Sequence, residues 1–306
     1  MYRSVLVPLD GSVFGEHALP FALSIARRAG VPLELAHIYV PPPMVYAETW
    51  PLVESTLEPR LREQAKAYLE GVVRRMTDIA PVKVTSAMLE GTVAEALQER
   101  VQVSGAGLIA MTTHGRGPLS RFWLGSVADR LVRRAPVPVL LVHPQAEPPD
   151  LASEPLLKRI LIPLDGSPLP EQALEPALDL GRLMNADFIL LRTVEPMYVV
   201  HYGSMAYAFE DVDLTVVEEL QRAAKTYLDG TAKRLREQGF QVETRVITCP
   251  SPASTILEEA EGAGVNLVVL ATHGRSGLSR ALLGSVADKV VRGARLPVMV
   301  CRPKHG

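Results

Sequence analysis

The sequence predicts an α/β protein built as two open five-stranded parallel doubly wound (Rossmann-like) sheets. Three observations predict it. The opening segment Ser4–Ser12 returns as Arg159–Ser167, 155 positions on, with Pro-Leu-Asp-Gly-Ser at the end of both. Of the 23 positions from Thr113 to Ala135, 16 are identical to Thr272–Ala294, 159 positions on. Within each copy, short apolar runs alternate with helical periodicities, the pattern of a parallel sheet covered on both faces.

The elements follow in order. Val5–Leu9 is an apolar run stopped by Asp10-Gly11-Ser12, a buried strand followed by a turn. Gly15 to Ala29 places Ala18, Leu19, Ala22, Ile25 and Ala26 at helical spacing, and Gly30 ends the helix. Pro32–Val40 is a second strand, stopped by Pro41–Pro43, and an irregular stretch around Trp50 follows. Leu57–Met76 carries Leu61, Ala65, Tyr68, Leu69, Val72 and Val73 on one face and charges on the other. Strand Val82–Leu89, helix Val93–Gln102, strand Gly107–Met111, helix Ser126–Arg134 and strand Val137–Val142 complete the first copy. The second copy repeats this order. Its offset grows from 155 to 159, which predicts a four-residue insertion in the Met197–Val216 connection. Gln145–Pro155, rich in Pro, Glu and Ser, is the linker, dividing the chain into domains 1–144 and 157–306 around a connection at 145–156.

Composition excludes several classes. With 306 residues, 47% of them hydrophobic, the chain can bury two cores of mainly aliphatic side chains, because aromatics make up only 5%. A net charge of −2 and the lack of a basic tract argue against a nucleic-acid partner. Cys249 and Cys301 lack metal-ligand spacing and read as free thiols of a reducing compartment. The start, MYRSVLVPLD, does not have the form of a secretory signal, and no apolar run reaches the ~20 residues needed to span a bilayer. A soluble, cytoplasmic protein without membrane contact is expected.

The segment that carries chemistry is Thr113-His114-Gly115, nine residues, then Gly125-Ser126, repeated as Thr272-His273-Gly274, nine residues, then Gly284-Ser285. It follows a strand, and its second half opens a helix, where unpaired N–H groups and the positive end of the helix dipole attract anions. Glycine at 115 and 125 lets backbone amides approach a phosphate, while Ser126 can cap the helix, bond a phosphate oxygen, or do both. Such a segment is a cradle for a di- or triphosphate, or simply a turn that starts a helix.

The Pro-Leu-Asp-Gly-Ser, Thr-His-Gly-Arg and Gly-Ser-Val-Ala-Asp segments resemble those of the universal stress protein family, over both halves and in its tandem two-domain form. The resemblance implies adenine-nucleotide binding through a Gly-x-x-Gly, nine residues, Gly-Ser/Thr pattern. The second glycine of that pattern matches Gly115 and Gly274, and the closing pair matches Gly125-Ser126 and Gly284-Ser285. The first glycine is replaced by Thr112 in one copy and Ala271 in the other. The resemblance further implies ribose or adenine contact for Asp10 and Asp165, and loop shaping by Pro8 and Pro163. Arg116 and Arg275, inside the phosphate loop, balance phosphate charge, face solvent or pair with Glu. An adenine wall would come from Ile38 and Met111 in the first copy, and from Thr193 and Leu270 in the second. Gly91 of the first copy aligns with Pro250 of the second, so the loops after the third strands differ.

Other residues read more plainly. Asp-Gly-Ser is also good turn chemistry, so Asp10 and Asp165 serve a ribose, a turn, or both. His114 and His273 have no Ser-His-Asp order or metal spacing beside them and read as loop hydrogen-bonding residues. Arg121 and Arg280 lie in the same loop as Arg116 and Arg275. Phe122, Trp123, Ala281 and Leu282 read as core, and His37 as a structural or pocket-edge residue opposite Arg192.

The expected function is an ATP-binding stress-response protein, regulatory or protective, with Mg²⁺ carried by the phosphates because the loop offers few carboxylates. No catalytic residue or metal ligand is assigned, and any ATP hydrolysis is expected to be slow. The alternatives are an interaction module of the same family that binds no ATP, and a slow ATPase or adenylate-forming enzyme. The resemblance also implies pairing of the fifth strands, Val137–Val142 and Pro297–Cys301, so that the two sheets would be packed as an intramolecular pseudo-dimer. A further homodimer is compatible with the sequence, and its protein partners are not readable from it.

Overall fold

In each half of the chain the short apolar runs become parallel strands, and the central ones are buried along nearly their whole length; Val5, Leu6 and Val7 are each 0% exposed. Burial of successive residues means that both faces of the sheet are covered, since neighbouring side chains on a strand point to opposite sides. The structure, a computed structural model, describes residues 2–40, 58–114, 124–155, 157–196, 214–272 and 283–302. The chain divides into two compact units, Met1–Leu156 and Leu157–Gly306.

The first unit contains β1 (Val5–Leu9), a 3₁₀ turn (Gly15–Ala18), α1 (Leu19–Ala29), β2 (Leu33–Tyr39) and α2 (Glu58–Ile79). It continues with β3 (Val84–Glu90), α3 (Val93–Ser104), β4 (Leu108–Thr112), α4 (Ser126–Arg134) and β5 (Val139–Val142). Its strand order is β3-β2-β1-β4-β5, all parallel. The second unit contains β6 (Arg159–Pro163), the one-turn α5 (Pro168–Glu171), α6 (Leu174–Met184), β7 (Asp187–Val194) and α7 (Leu214–Glu237). It closes with β8 (Val242–Thr248), α8 (Pro252–Gly262), β9 (Leu267–Ala271), α9 (Ser285–Gly293) and β10 (Val298–Cys301). Its order is β8-β7-β6-β9-β10, again parallel. The chain therefore leaves β1 toward β2 on one side and returns to β4 on the other, which opens a crevice beyond the carboxyl ends of β1 and β4. The same reversal flanks β6.

Most boundaries agree with the sequence reading to within a few residues. One helix does not. The stretch from Gly15 to Ala29 is split into the 3₁₀ turn and α1, because Pro20 has no N–H to give the Glu16 carbonyl. Leu19 N–H bonds that carbonyl instead. Helix α2 also runs three residues past the expected end at Met76, to Ile79.

The linker is fastened to the first unit. Buried His17 donates from Nε2 to the Glu147 carbonyl at 2.9 Å. Glu154 pairs with Arg27 at 2.6 Å and accepts from Arg28 Nε at 3.1 Å. Among the described residues no helix is long and apolar enough to cross a membrane.

Candidate functional site

At the crevice of the first unit, the turn after β1 is set by Asp10, whose Oδ1 accepts from the Ser12 amide at 2.9 Å and the Ser12 hydroxyl at 2.7 Å. The turn needs glycine in its middle: Gly11 has φ +85°, a backbone that side chains rarely adopt. Asp165 holds the corresponding turn through the Ser167 amide at 2.8 Å, around Gly166 at φ +81°. The turn role of both aspartates is therefore real, and both also face a cleft.

The first cleft, about 250 Å³, gathers Pro8, Asp10, Ile38, Met111, Thr112, Gly125 and Ser126. The second, about 580 Å³, gathers Pro163, Asp165, Thr193, Leu270, Ala271, Gly284 and Ser285. Each described residue expected at a nucleotide site thus lines the cleft of its own unit. Gly115, Arg116, Gly274 and Arg275 lie outside the described residues, as do Trp50, Arg121, Phe122, Trp123, His273, Arg280, Ala281 and Leu282. The expected insertion falls almost wholly on residues 197–213, also outside them.

The cradle is built alike in both units. Gly125 N–H bonds the Thr113 carbonyl at 2.8 Å, and Gly284 N–H bonds the Thr272 carbonyl at 2.7 Å. These contacts pin the start of each helix to the end of β4 or β9. A side chain at Gly125 would meet the Thr113 oxygen at 3.2 Å, so the close approach favours glycine. Of the two roles open to Ser126, capping the helix falls to its neighbour. Gly125 and Gly284 are the caps, with no side-chain bond to the helix amides, and Ser126 and Ser285 are the first helical residues. The helix begins one residue early because the glycine carbonyls already accept helical bonds, from Asp129 at 2.9 Å and Asp288 at 2.8 Å. Ser126–Ala128 and Ser285–Ala287 line the clefts, so the first turn of each helix borders its cleft with a serine at the start. Such an end favours an anion.

Around this frame the units differ. His37 donates from Nδ1 to the Leu9 carbonyl at 2.9 Å and stands edge-on to Tyr68. Its counterpart Arg192 lies over the Tyr227 ring, 5.3 Å from its centroid, and lines the second cleft. His114 lines the first cleft, within 3.1 Å of the Thr113 hydroxyl, and burial lowers its pKa. Gly91 turns at φ +106°, which Pro250 at the aligned position cannot adopt, so the turns after β3 and β8 differ as expected.

A cluster not expected from the sequence ties the turn after β1 to α2. Buried Glu16 accepts from Arg75 Nη2 at 2.8 Å and Nη1 at 3.0 Å, and from the Tyr68 hydroxyl at 3.1 Å. Burial and the Glu16 carboxylate push the Tyr68 pKa far up, so the phenol stays a donor. The second unit repeats it with Glu171, Tyr227 at 2.7 Å and Arg234 at 3.3 Å. The signal was present: Glu16 recurs at an offset of 155, and Tyr68 and Arg75 at 159, the two offsets of the repeat.

With the site described, comparison with known proteins becomes decisive. The model of the Universal stress protein family matches residues 1–143 and again 157–302. The chain belongs to the universal stress protein family. Universal stress protein Rv2005c of Mycobacterium tuberculosis is similar over 98% of this chain and 97% of its own, at 28% identity. The crystal structure of a universal stress protein from Archaeoglobus fulgidus shares the fold, with a TM-score of 0.69 and 20% identity over 98% of both chains. A universal stress protein structure from Pseudomonas aeruginosa does so at a TM-score of 0.63 and 20% identity, over 99% of this chain and 94% of that one. Universal stress proteins of tandem form thus match the chain from end to end.

Proposed function

We propose that this universal stress protein binds ATP in its Gly-Ser clefts and acts in the stress response as a regulatory or protective protein without fast catalysis. The reading is carried by one observation: an acidic turn, a mostly apolar wall and a glycine-capped helix start meet in one cleft in each unit. A nucleotide has matching parts in its ribose hydroxyls, its flat base and its phosphates. Asp10 and Asp165 would face the ribose. Ile38 and Met111, or Leu270 and Thr193, would flank the base. The amides behind Gly125-Ser126 and Gly284-Ser285 would receive phosphate oxygens.

Mg²⁺ would arrive on the phosphates, because the described residues hold no group of three His, Cys, Asp or Glu side chains placed for a metal. Slow chemistry fits the same geometry. The aspartates at the cleft are engaged in their turns, and the Thr113 hydroxyl, although 3.1 Å from His114 Nδ1, belongs to a residue only 1% exposed and so is closed to a substrate.

Titration calorimetry of the full chain with Mg-ATP should give saturable binding that Gly284→Val weakens. Phosphate release should run far below the ~10 s⁻¹ of a typical enzyme. Turnover near that rate would favour the enzyme reading, and no binding would favour a ligand-free interaction module.

A further inference from the structure

We propose that the two clefts are unequal: the second holds a nucleoside triphosphate, while Thr112 narrows the first so that it takes the same ligand only weakly. The inference rests on the nucleotide reading above and concerns which unit does the binding. At about 250 Å³ the first cleft falls below the ~300–1,000 Å³ of ordinary small-molecule sites, and at about 580 Å³ the second falls within it.

Thr112 closes β4, and Ala271 occupies the same place at the end of β9. The backbone around them is held identically. Thr113 N–H bonds the Val142 carbonyl and Thr272 N–H bonds the Cys301 carbonyl, both at 3.0 Å, and the glycine amides close the other side. What differs is the side chain. Thr112 adds a methyl and a hydroxyl to a cleft-lining position that is only 6% exposed, and a β-branched residue on a pinned strand has little freedom to turn away. Thr112 is thus added bulk at a place where the backbone cannot yield.

Donor chemistry points the same way. Arg192 brings a guanidinium to the lining of the second cleft, steadied over Tyr227 and against Gly166. The residue in its place in the first unit, His37, is turned to the Leu9 carbonyl. A guanidinium there can give paired bonds to phosphate oxygens, beside the carboxylates of Asp165 and Glu195 that line the same cleft.

Native mass spectrometry and titration calorimetry of the full chain with Mg-ATP test this. The expected result is one tight equivalent, with a second weaker by about tenfold or more. Gly284→Val should remove the tight equivalent, and Arg192→His should weaken it. Thr112→Ala should strengthen the weak equivalent by about tenfold, with Thr112→Ser, which keeps the hydroxyl, falling between. Two equal equivalents in the unmodified chain, a tight equivalent that survives Gly284→Val, or Thr112 variants without effect would overturn this inference and leave the nucleotide reading standing. No binding by any variant would overturn the nucleotide reading and this inference with it.

Discussion

Replacing Arg75 by Met tests whether the Glu16 cluster holds the first unit together. The substitution keeps an apolar stem but removes both guanidinium bonds, at 2.8 and 3.0 Å, from a carboxylate whose side chain is only 7% exposed. Glu16 then keeps the Tyr68 hydroxyl alone. Stranding one member of a buried ion pair costs about 3–5 kcal/mol. Arg75 itself is 49% exposed, so water can enter the space it leaves, which lowers the expectation to about 2–3 kcal/mol. The second unit supplies an internal control. There the pair is longer, at 3.3 Å, and its side chains are 61% and 29% exposed, so Arg234→Met should cost about 0–1 kcal/mol. Because a chain of two units need not unfold in one step, the assay is native-state hydrogen exchange, read separately on α1 and α2 and on α6 and α7. Equal losses in the two units, or a larger loss from Arg234→Met, would refute the argument that burial of the carboxylate sets the cost.

Two further outcomes are expected. A methyl at Gly181 would stand 2.3 Å from Cζ of Phe188, a side chain 1% exposed, so Gly181→Ala should destabilise the second unit by about 1–3 kcal/mol, with recovery on adding Phe188→Leu; urea unfolding measures both. Burial lowers the pKa of His114, so the unfolded chain takes up its proton first as the pH falls. The stability contributed by neutral His114 is therefore complete above about pH 6.5 and declines below it. Urea midpoints at pH 8, 6.5 and 5 should fall less steeply for His114→Gln than for the parent, and parallel curves would contradict the assignment.

The strands and the cleft residues were legible because local signals and the repeat agreed. Apolar runs ended at turn residues, and the two copies pointed to the same positions, from Asp10 and Asp165 to Gly125 and Gly284. What escaped was set by atoms far apart in the chain or by fine geometry. The split at Gly15–Ala18 depends on one missing N–H at Pro20. The role of Ser126 depended on which carbonyl accepts the first helical bond, a matter of one residue. Glu16 meets Arg75 across 59 positions, and no local pattern reports such a meeting. Comparing the copies position by position would have flagged it, since an acid, a tyrosine and an arginine all recur where the repeat places them.

The bonds from Glu147 and Glu154 back to His17, Arg27 and Arg28 separate two ideas of where a domain stops. The repeated motif ends at residue 143, yet the first compact unit extends to 156. The intervening stretch behaves as a brace riveted to one half. A fragment cut at residue 144 would leave buried His17 without its acceptor and two arginines at the end of α1 without their counter-charge. What evolution duplicated and what can be detached intact are therefore different lengths of chain. The surplus dozen residues are free to vary in sequence only as far as those anchor points allow.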